Sequence, residues 1–145
     1  MLCEKPFSVN AAEAERVIGL SREKGHFLME GMWTRFFPLM EEVRRMVSEG
    51  ALGELRMLNV DFGFRAGLDP ASRLFDPKLG GGALLEVGVY CVSFDSMILG
   101  RPSGFVSLPH LGETGVDEQV SIVLEHEGGR LANLSIGIEE PVSSA

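Results

Sequence analysis

The sequence predicts an α+β fold, in which a short strand–helix–strand unit leads into a predominantly antiparallel sheet covered on one face by helices. Three observations carry this. Residues 1–32 run apolar strand, amphipathic helix, apolar strand, the order of a βαβ unit with parallel strands. From Glu54 the apolar period shortens to two, and it does so again on either side of a Gly128-Gly129 hairpin signal. Between these stretches, residues 83–99 form one long apolar helical pattern.

Met1-Leu2-Cys3 reads as the end of a strand that Pro6 closes. Asn10 with Glu13 makes a capping-box-like start, after which Ala14, Val17, Ile18 and Ser21 fall at helical spacing. Lys24-Gly25 ends that helix, and Phe27-Leu28-Met29 is a short buried strand. A second amphipathic helix turns Leu39, Met40, Val43, Met46 and Val47 inward and leaves Glu41, Glu42, Arg44 and Arg45 solvated, with Gly50 near its end. Leu58, Val60, Phe62 and Phe64 then alternate with Asn59, Asp61, Gly63 and Arg65 in a half-buried strand. A loop rich in Pro, Asp and Arg runs from Gly67 to Pro77 and delivers the chain to Gly80-Gly81-Gly82. The helix beyond is expected to bury Leu84, Leu85, Val87, Val89 and Val92, and Gly100-Arg101-Pro102 stops it. Phe105-Val106, then Val120, Ile122 and Leu124, then Leu134, Ile136 and Ile138 supply the remaining strands. Pro141-Val142-Ser143-Ser144-Ala145 offers no closing element, so both ends read as cuts through a larger fold.

At 145 residues, 45% apolar and 23% charged, the chain is long enough to build a real core. A net charge of −8 with no basic stripe argues against a nucleic-acid partner. No apolar run has the length of a bilayer span and no leader is visible, so no membrane partner is expected. Cys3 and Cys91 lack metal-like spacing, and His26, His110 and His126 are scattered with no ligand-like interval to a cysteine or carboxylate. A reducing, cytoplasmic location and no metal are the expectations.

The stretch from Gly80 to Tyr90 is the most informative. Residues four apart share a helix face, so Glu86 and Tyr90 project into one space. The glycines before them allow positive φ and close backbone approach to a ligand. Taken alone, the run reads as a loop followed by a core helix, and only a partner elsewhere in the chain shifts that balance. A candidate partner for it is Glu4-Lys5-Pro6, beyond the carboxyl end of the first strand, where open parallel sheets bind ligands, or else Lys5 is a surface lysine beside a proline turn. Trp33-Thr34-Arg35-Phe36 adds a flat stacking surface and a fixed cation, suited to a sugar or small polar ring, or else a hydrophobic staple at a helix start.

In this order, Cys3-Glu4-Lys5-Pro6, Glu30-Gly31-Met32-Trp33-Thr34-Arg35-Phe36, and Phe75-Asp76-Pro77 leading into the Gly80–Tyr90 stretch resemble the glucose-fructose oxidoreductase and inositol dehydrogenase family. Within it the chain is most similar to the dihydrodiol dehydrogenase and xylose dehydrogenase branch, as Thr114-Gly115-Val116-Asp117-Glu118-Gln119 also suggests. The resemblance covers nearly the whole chain. It implies an NADP- or NAD-dependent oxidoreductase, with residues 1–32 as the end of a Rossmann domain and residues 33–145 as most of an α/β substrate domain. Lys5 would contact the nicotinamide region and the substrate hydroxyl, with Glu4 and Pro6 beside it on the cofactor side. Tyr90, a histidine in many relatives, would be the general acid/base, while Trp33, Arg35 and Glu86 would line the substrate pocket. Glu86 stands where most of the family carries aspartate, one methylene shorter. The implied partners are a sugar or trans-dihydrodiol and, through the carboxy-terminal sheet, a second copy of the chain.

The chemistry is coherent, because oxidising a hydroxyl needs a base for its proton and an acceptor for its hydride. A phenol serves as that base when a cation beside it stabilises the phenolate. The sequence contains no Gly-x-Gly-x-x-Gly dinucleotide turn, and Gly80-Gly81-Gly82 is not one. Two expectations follow: the catalytic half of an oxidoreductase, inactive by itself, or a non-catalytic domain that binds a small ligand or pairs with itself.

Overall fold

The computed structural model describes residues 1–138, so the expected lack of a closing element at Pro141–Ala145 lies outside the described residues. The fold is α+β. Strand β1 (Leu2–Cys3) pairs in parallel with β2 (Met29–Glu30), and α1 (Ala11–Glu23) crosses between them. The Asn10 side chain accepts the Glu13 backbone N–H at 2.9 Å, satisfying one of the free donors of the first turn. β2 begins two residues later than Phe27-Leu28-Met29 predicts. Its register with β1 opens at Leu2 opposite Met29, so Phe27 overhangs and stays exposed.

A 3₁₀ turn over Trp33–Phe36 leads into α2 (Pro38–Ser48), with proline in the first turn, where its missing N–H costs nothing. Met40, Val43, Met46 and Val47 are half-buried, but Leu39, expected on the same face, lies in the exposed first turn with Phe37 and Pro38.

The main sheet has the order β3-β6-β5-β4, from β3 (Met57–Gly63), β4 (Gly104–Leu111), β5 (Asp117–His126) and β6 (Arg130–Gly137). Only β3 and β6 run parallel; the other pairings are antiparallel. Strand β5 alternates throughout, burying Val120, Ile122 and Leu124 while Gln119, Ser121 and Val123 face outward. The alternation predicted for β3 fails after Val60: Phe62 is exposed at the rim, against the Tyr90 ring, and Gly63 packs on the Gly137 backbone instead.

The helix beyond the glycines covers the buried face of this sheet. It opens with a π-helical turn over Leu84–Gly88 and continues as α3 (Val89–Ile98). Val87, Gly88, Cys91 and Asp95 form its buried stripe. Leu84 and Val92, expected in the core, fall outside that stripe and are exposed. The 22 residues Pro77–Ile98 have the length and apolarity of a membrane span, which the sequence was not expected to contain. Their buried stripe packs on the sheet, as a core helix does. Asp95 and His126 meet inside the core, Oδ1 to Nε2 at 3.0 Å, with both side chains fully buried. Burial pushes the Asp95 carboxyl up, and His126 opposes that shift.

The glycine run packs closely against its own chain. A Cβ on Gly81 would lie 2.6 Å from the Leu74 carbonyl oxygen. Gly82, at φ 120°, leaves room for the Asp117 carboxylate, which accepts the Leu84 N–H at 2.6 Å and so caps the helix from a distant strand. Asp117→Ala should destabilise the chain by about 1–2 kcal/mol in denaturant melts, whereas Asp117→Asn, which keeps an acceptor, should cost less.

Candidate active site

The two parallel strands end side by side, and the residues just beyond each carboxyl end form the site. Beyond β1 the chain turns through Glu4-Lys5-Pro6, with a cis bond at Lys5-Pro6; beyond β2 it turns through Gly31 and the buried Met32 to Trp33. The π turn and α3 bring Glu86 and Tyr90 to the same place. The structure therefore assembles Lys5, Trp33, Glu86 and Tyr90 from three separate segments.

Lys5 is the hub. Its ammonium donates to the Glu86 carbonyl at 2.7 Å, pairs with the Glu86 carboxylate at 3.4 Å, and sits 5.0 Å from the centre of the Tyr90 ring. Both side chains of the Lys5–Glu86 pair are largely buried, at 13% and 15% exposed, so water screens this pair less than a surface bridge. Glu86 also receives both ends of the Arg73 guanidinium, Nη2 to Oε1 at 2.9 Å and Nη1 to Oε2. Arg73 first, and Lys5 after it, hold the Glu86 carboxyl below the ordinary glutamate range, against the opposing effect of burial.

The sign of that shift fixes its pH dependence. A lowered folded value makes the ion cluster stabilising above the ordinary glutamate value of 4.5, and its contribution is lost as pH falls through the lowered value. Arg73→Ala should therefore flatten the acid side of the stability curve below that point, measured as thermal midpoints across pH, and leave the neutral-to-alkaline side parallel to wild type.

Tyr90 is half-buried among aromatic rings. The Trp33 indole N–H donates to its oxygen at 3.1 Å, and the Phe62 ring lies 5.6 Å away, centre to centre. Trp33 in turn meets Phe37 edge-on at 5.0 Å. Beside the phenol opens a cavity of about 350 Å³, lined by Trp33, Met40, Phe62, Tyr90, Phe94 and Met97 among others. Its walls are almost entirely apolar. Cys91 contributes to them as a neutral thiol, since burial pushes it up to about 11.

Not every predicted residue lines this cavity. Arg35, expected to line the pocket, bonds Ser93 on α3 instead, through Nε to the hydroxyl and Nη2 to the carbonyl, both at 2.8 Å. Glu86, expected to meet substrate, is committed to Arg73 and Lys5. Glu4 is exposed on the loop beyond β1, while Pro6 is half-buried there. Sequence reasoning missed Arg73, Phe62 and Ser93 as parts of the site. Only Arg73 left a trace, as one of the charges in the loop ahead of the glycines.

Residues 40–143 match the family described as the GFO/IDH/MocA C-terminal domain. Trans-1,2-dihydrobenzene-1,2-diol dehydrogenase of Xenopus tropicalis is 42% identical over 137 residues, 93% of this chain and 41% of that protein. The enzyme of the same name from Mus musculus is 44% identical over 131 residues, 89% of this chain and 39% of that protein. The chain thus spans about two fifths of the length of the curated relatives it matches. Among solved structures, aldose-aldose oxidoreductase from Caulobacter crescentus complexed with glycerol superposes with a TM-score of 0.90 at 27% identity, over 97% of this chain and 44% of that one. A 3-ketoreductase from Actinomadura kijaniata in complex with NADP superposes with a TM-score of 0.88 at 30% identity, over 97% of this chain and 43% of that one. By these matches, spread over nearly its whole length, the chain belongs to the GFO/IDH/MocA family.

Proposed function

We propose that this chain carries the substrate side of a hydride-transfer site, in an oxidoreductase that oxidises a CH–OH group of a trans-dihydrodiol or sugar with NADP or NAD. The observation that carries the reading is the meeting of the Lys5 ammonium and the Tyr90 phenol, beyond the carboxyl ends of two parallel strands and at the rim of an apolar cavity. The names of the relatives and the NADP-complexed 3-ketoreductase support it.

The residues present fit the reactive end of a nicotinamide dinucleotide. The Lys5 ammonium lies over the ring of Tyr90, which itself lines the apolar cavity, and the Glu4-Lys5-Pro6 loop would hold the nicotinamide ring on the cofactor side. The nicotinamide, when bound, supplies the acceptor for the hydride leaving the carbinol carbon. Tyr90 takes the hydroxyl proton as the C–O bond becomes a carbonyl, and Lys5 stabilises the phenolate and the hydroxyl oxygen by Coulomb attraction. Glu86 and Arg73 fix Lys5 in place. The apolar cavity receives the hydrocarbon part of the substrate.

The phosphate-binding turn does not occur in the sequence, so these 145 residues alone should hold nucleotide weakly and turn over slowly or not at all. The reading includes a reducing location, which suits the free thiols of Cys3 and Cys91. It also includes a homodimer through the open sheet face, where Val106, Leu108 and Val123 are exposed. The test is calorimetry with NADP and NAD, with nucleotide reduction assayed on a trans-dihydrodiol and on xylose. It is run on the chain alone and on the chain fused behind a Gly-x-Gly-x-x-Gly dinucleotide-binding domain. Turnover by the fusion supports the proposal. A fusion that binds nucleotide but oxidises neither substrate favours a non-catalytic domain.

A further inference from the structure

We infer that Arg35 is a positioning residue, which aims the Trp33 indole N–H at the Tyr90 oxygen, and that Trp33 thereby stabilises the phenolate. This rests on Tyr90 being the acid/base. Arg35 follows Trp33 by two residues in one 3₁₀ turn, and its own backbone N–H bonds the Met32 carbonyl at 3.1 Å. Ser93 follows Tyr90 by three residues on α3, close to a full turn along the same face. The contacts close a ring: Trp33 to Tyr90, along α3 to Ser93, across to Arg35, and back through the turn to Trp33.

Burial holds only the start of this turn, at Met32. Trp33 is 52% exposed, Phe36 57% and Phe37 45%, leaving the guanidinium fork on Ser93 as its polar clamp. That fork suits arginine and not lysine, because two N–H groups in one plane reach the Ser93 hydroxyl and carbonyl together. An indole N–H is a donor only, so at the Tyr90 oxygen it favours the ionised form over the neutral one. It acts in the same direction as the Lys5 ammonium over the ring, and against the Asp61 carboxylate that lines the same cavity with the Cys91 thiol. The arginine that the sequence places in the substrate pocket therefore acts on the reaction through a neighbour.

The chain contains one tryptophan and one tyrosine, so the near-ultraviolet indole and phenolate bands come from this pair. The experiment follows phenolate absorbance of the 145-residue chain through an alkaline titration, with circular dichroism confirming the fold at each step. Trp33→Phe should raise the midpoint by about half to one pH unit, as expected for losing one exposed donor to a charged oxygen. Arg35→Lys should raise it by a similar amount, and the double variant should rise no further than Trp33→Phe alone. Should Arg35→Lys not fold, Ser93→Ala gives a smaller shift of the same sign. An unmoved midpoint in Trp33→Phe overturns the inference. So does an Arg35→Lys variant that melts earlier with a wild-type midpoint, which is what a purely structural arginine would give. Turnover that survives Tyr90→Phe in the fusion would remove the acid/base reading while leaving these midpoints as stated, so the two failures are distinguishable.

Discussion

Tyr90→Phe should lower turnover of the fused enzyme by about 10²–10⁴-fold, the range for losing a general acid/base, with nucleotide binding almost unchanged. The substitution deletes one oxygen and keeps the ring, so the contacts with Phe62 and Trp33 and the lining of the cavity persist. What it removes is the atom that the Trp33 N–H meets, while the ring under the Lys5 ammonium stays in place. The measurement is a split one: kcat at saturating nucleotide, and the nucleotide dissociation constant by calorimetry. Losing both equally would take Tyr90 out of proton transfer and make it a binding residue.

Phe75→Ala should cost about 3–5 kcal/mol, a large share of the 5–15 kcal/mol that holds an ordinary domain together. Phe75 is fully buried and packs in the same core as Val87, Cys91 and Val116. Its N–H and that of Asp76 both bond the Ser72 carbonyl at 3.1 Å, and the Gly82 N–H bonds the Leu74 carbonyl at 2.8 Å. The ring thus anchors the turn that carries Arg73 to Glu86 and seats the glycine run. Denaturant titration should show a lower midpoint with an unchanged slope. A loss under about 1 kcal/mol would mean that the turn is held by its hydrogen bonds, without help from the core.

What the sequence revealed was what neighbouring residues decide. Asn10 capping Glu13, the parallel strands on either side of α1, and the two-residue period of β5 all follow from local spacing. Lys5, Trp33 and Tyr90, which the fold brings into contact, could be singled out because each sits in a short motif near the end of an element. Arg73, Ser93 and the Asp95–His126 pair were not, since each depends on a partner brought near only by the completed fold. The same cause explains Arg35. Its motif marked it as a pocket cation, and only the packing of the 3₁₀ turn against α3 turned it to Ser93. The glycine run was correctly singled out, but the close approach it permits is to Leu74 and Asp117 of its own chain.

The central claim is that the phenol and the ammonium face the reacting hydroxyl. A crystal structure of the fused enzyme with nucleotide and a trans-dihydrodiol tests it most directly. The account predicts one substrate hydroxyl within about 3 Å of Tyr90 Oη and close to Lys5 Nζ, with the hydrocarbon ring against Trp33 and Phe62. A diol seated elsewhere, with Tyr90 still bonded to Trp33 and out of reach of substrate, would contradict it.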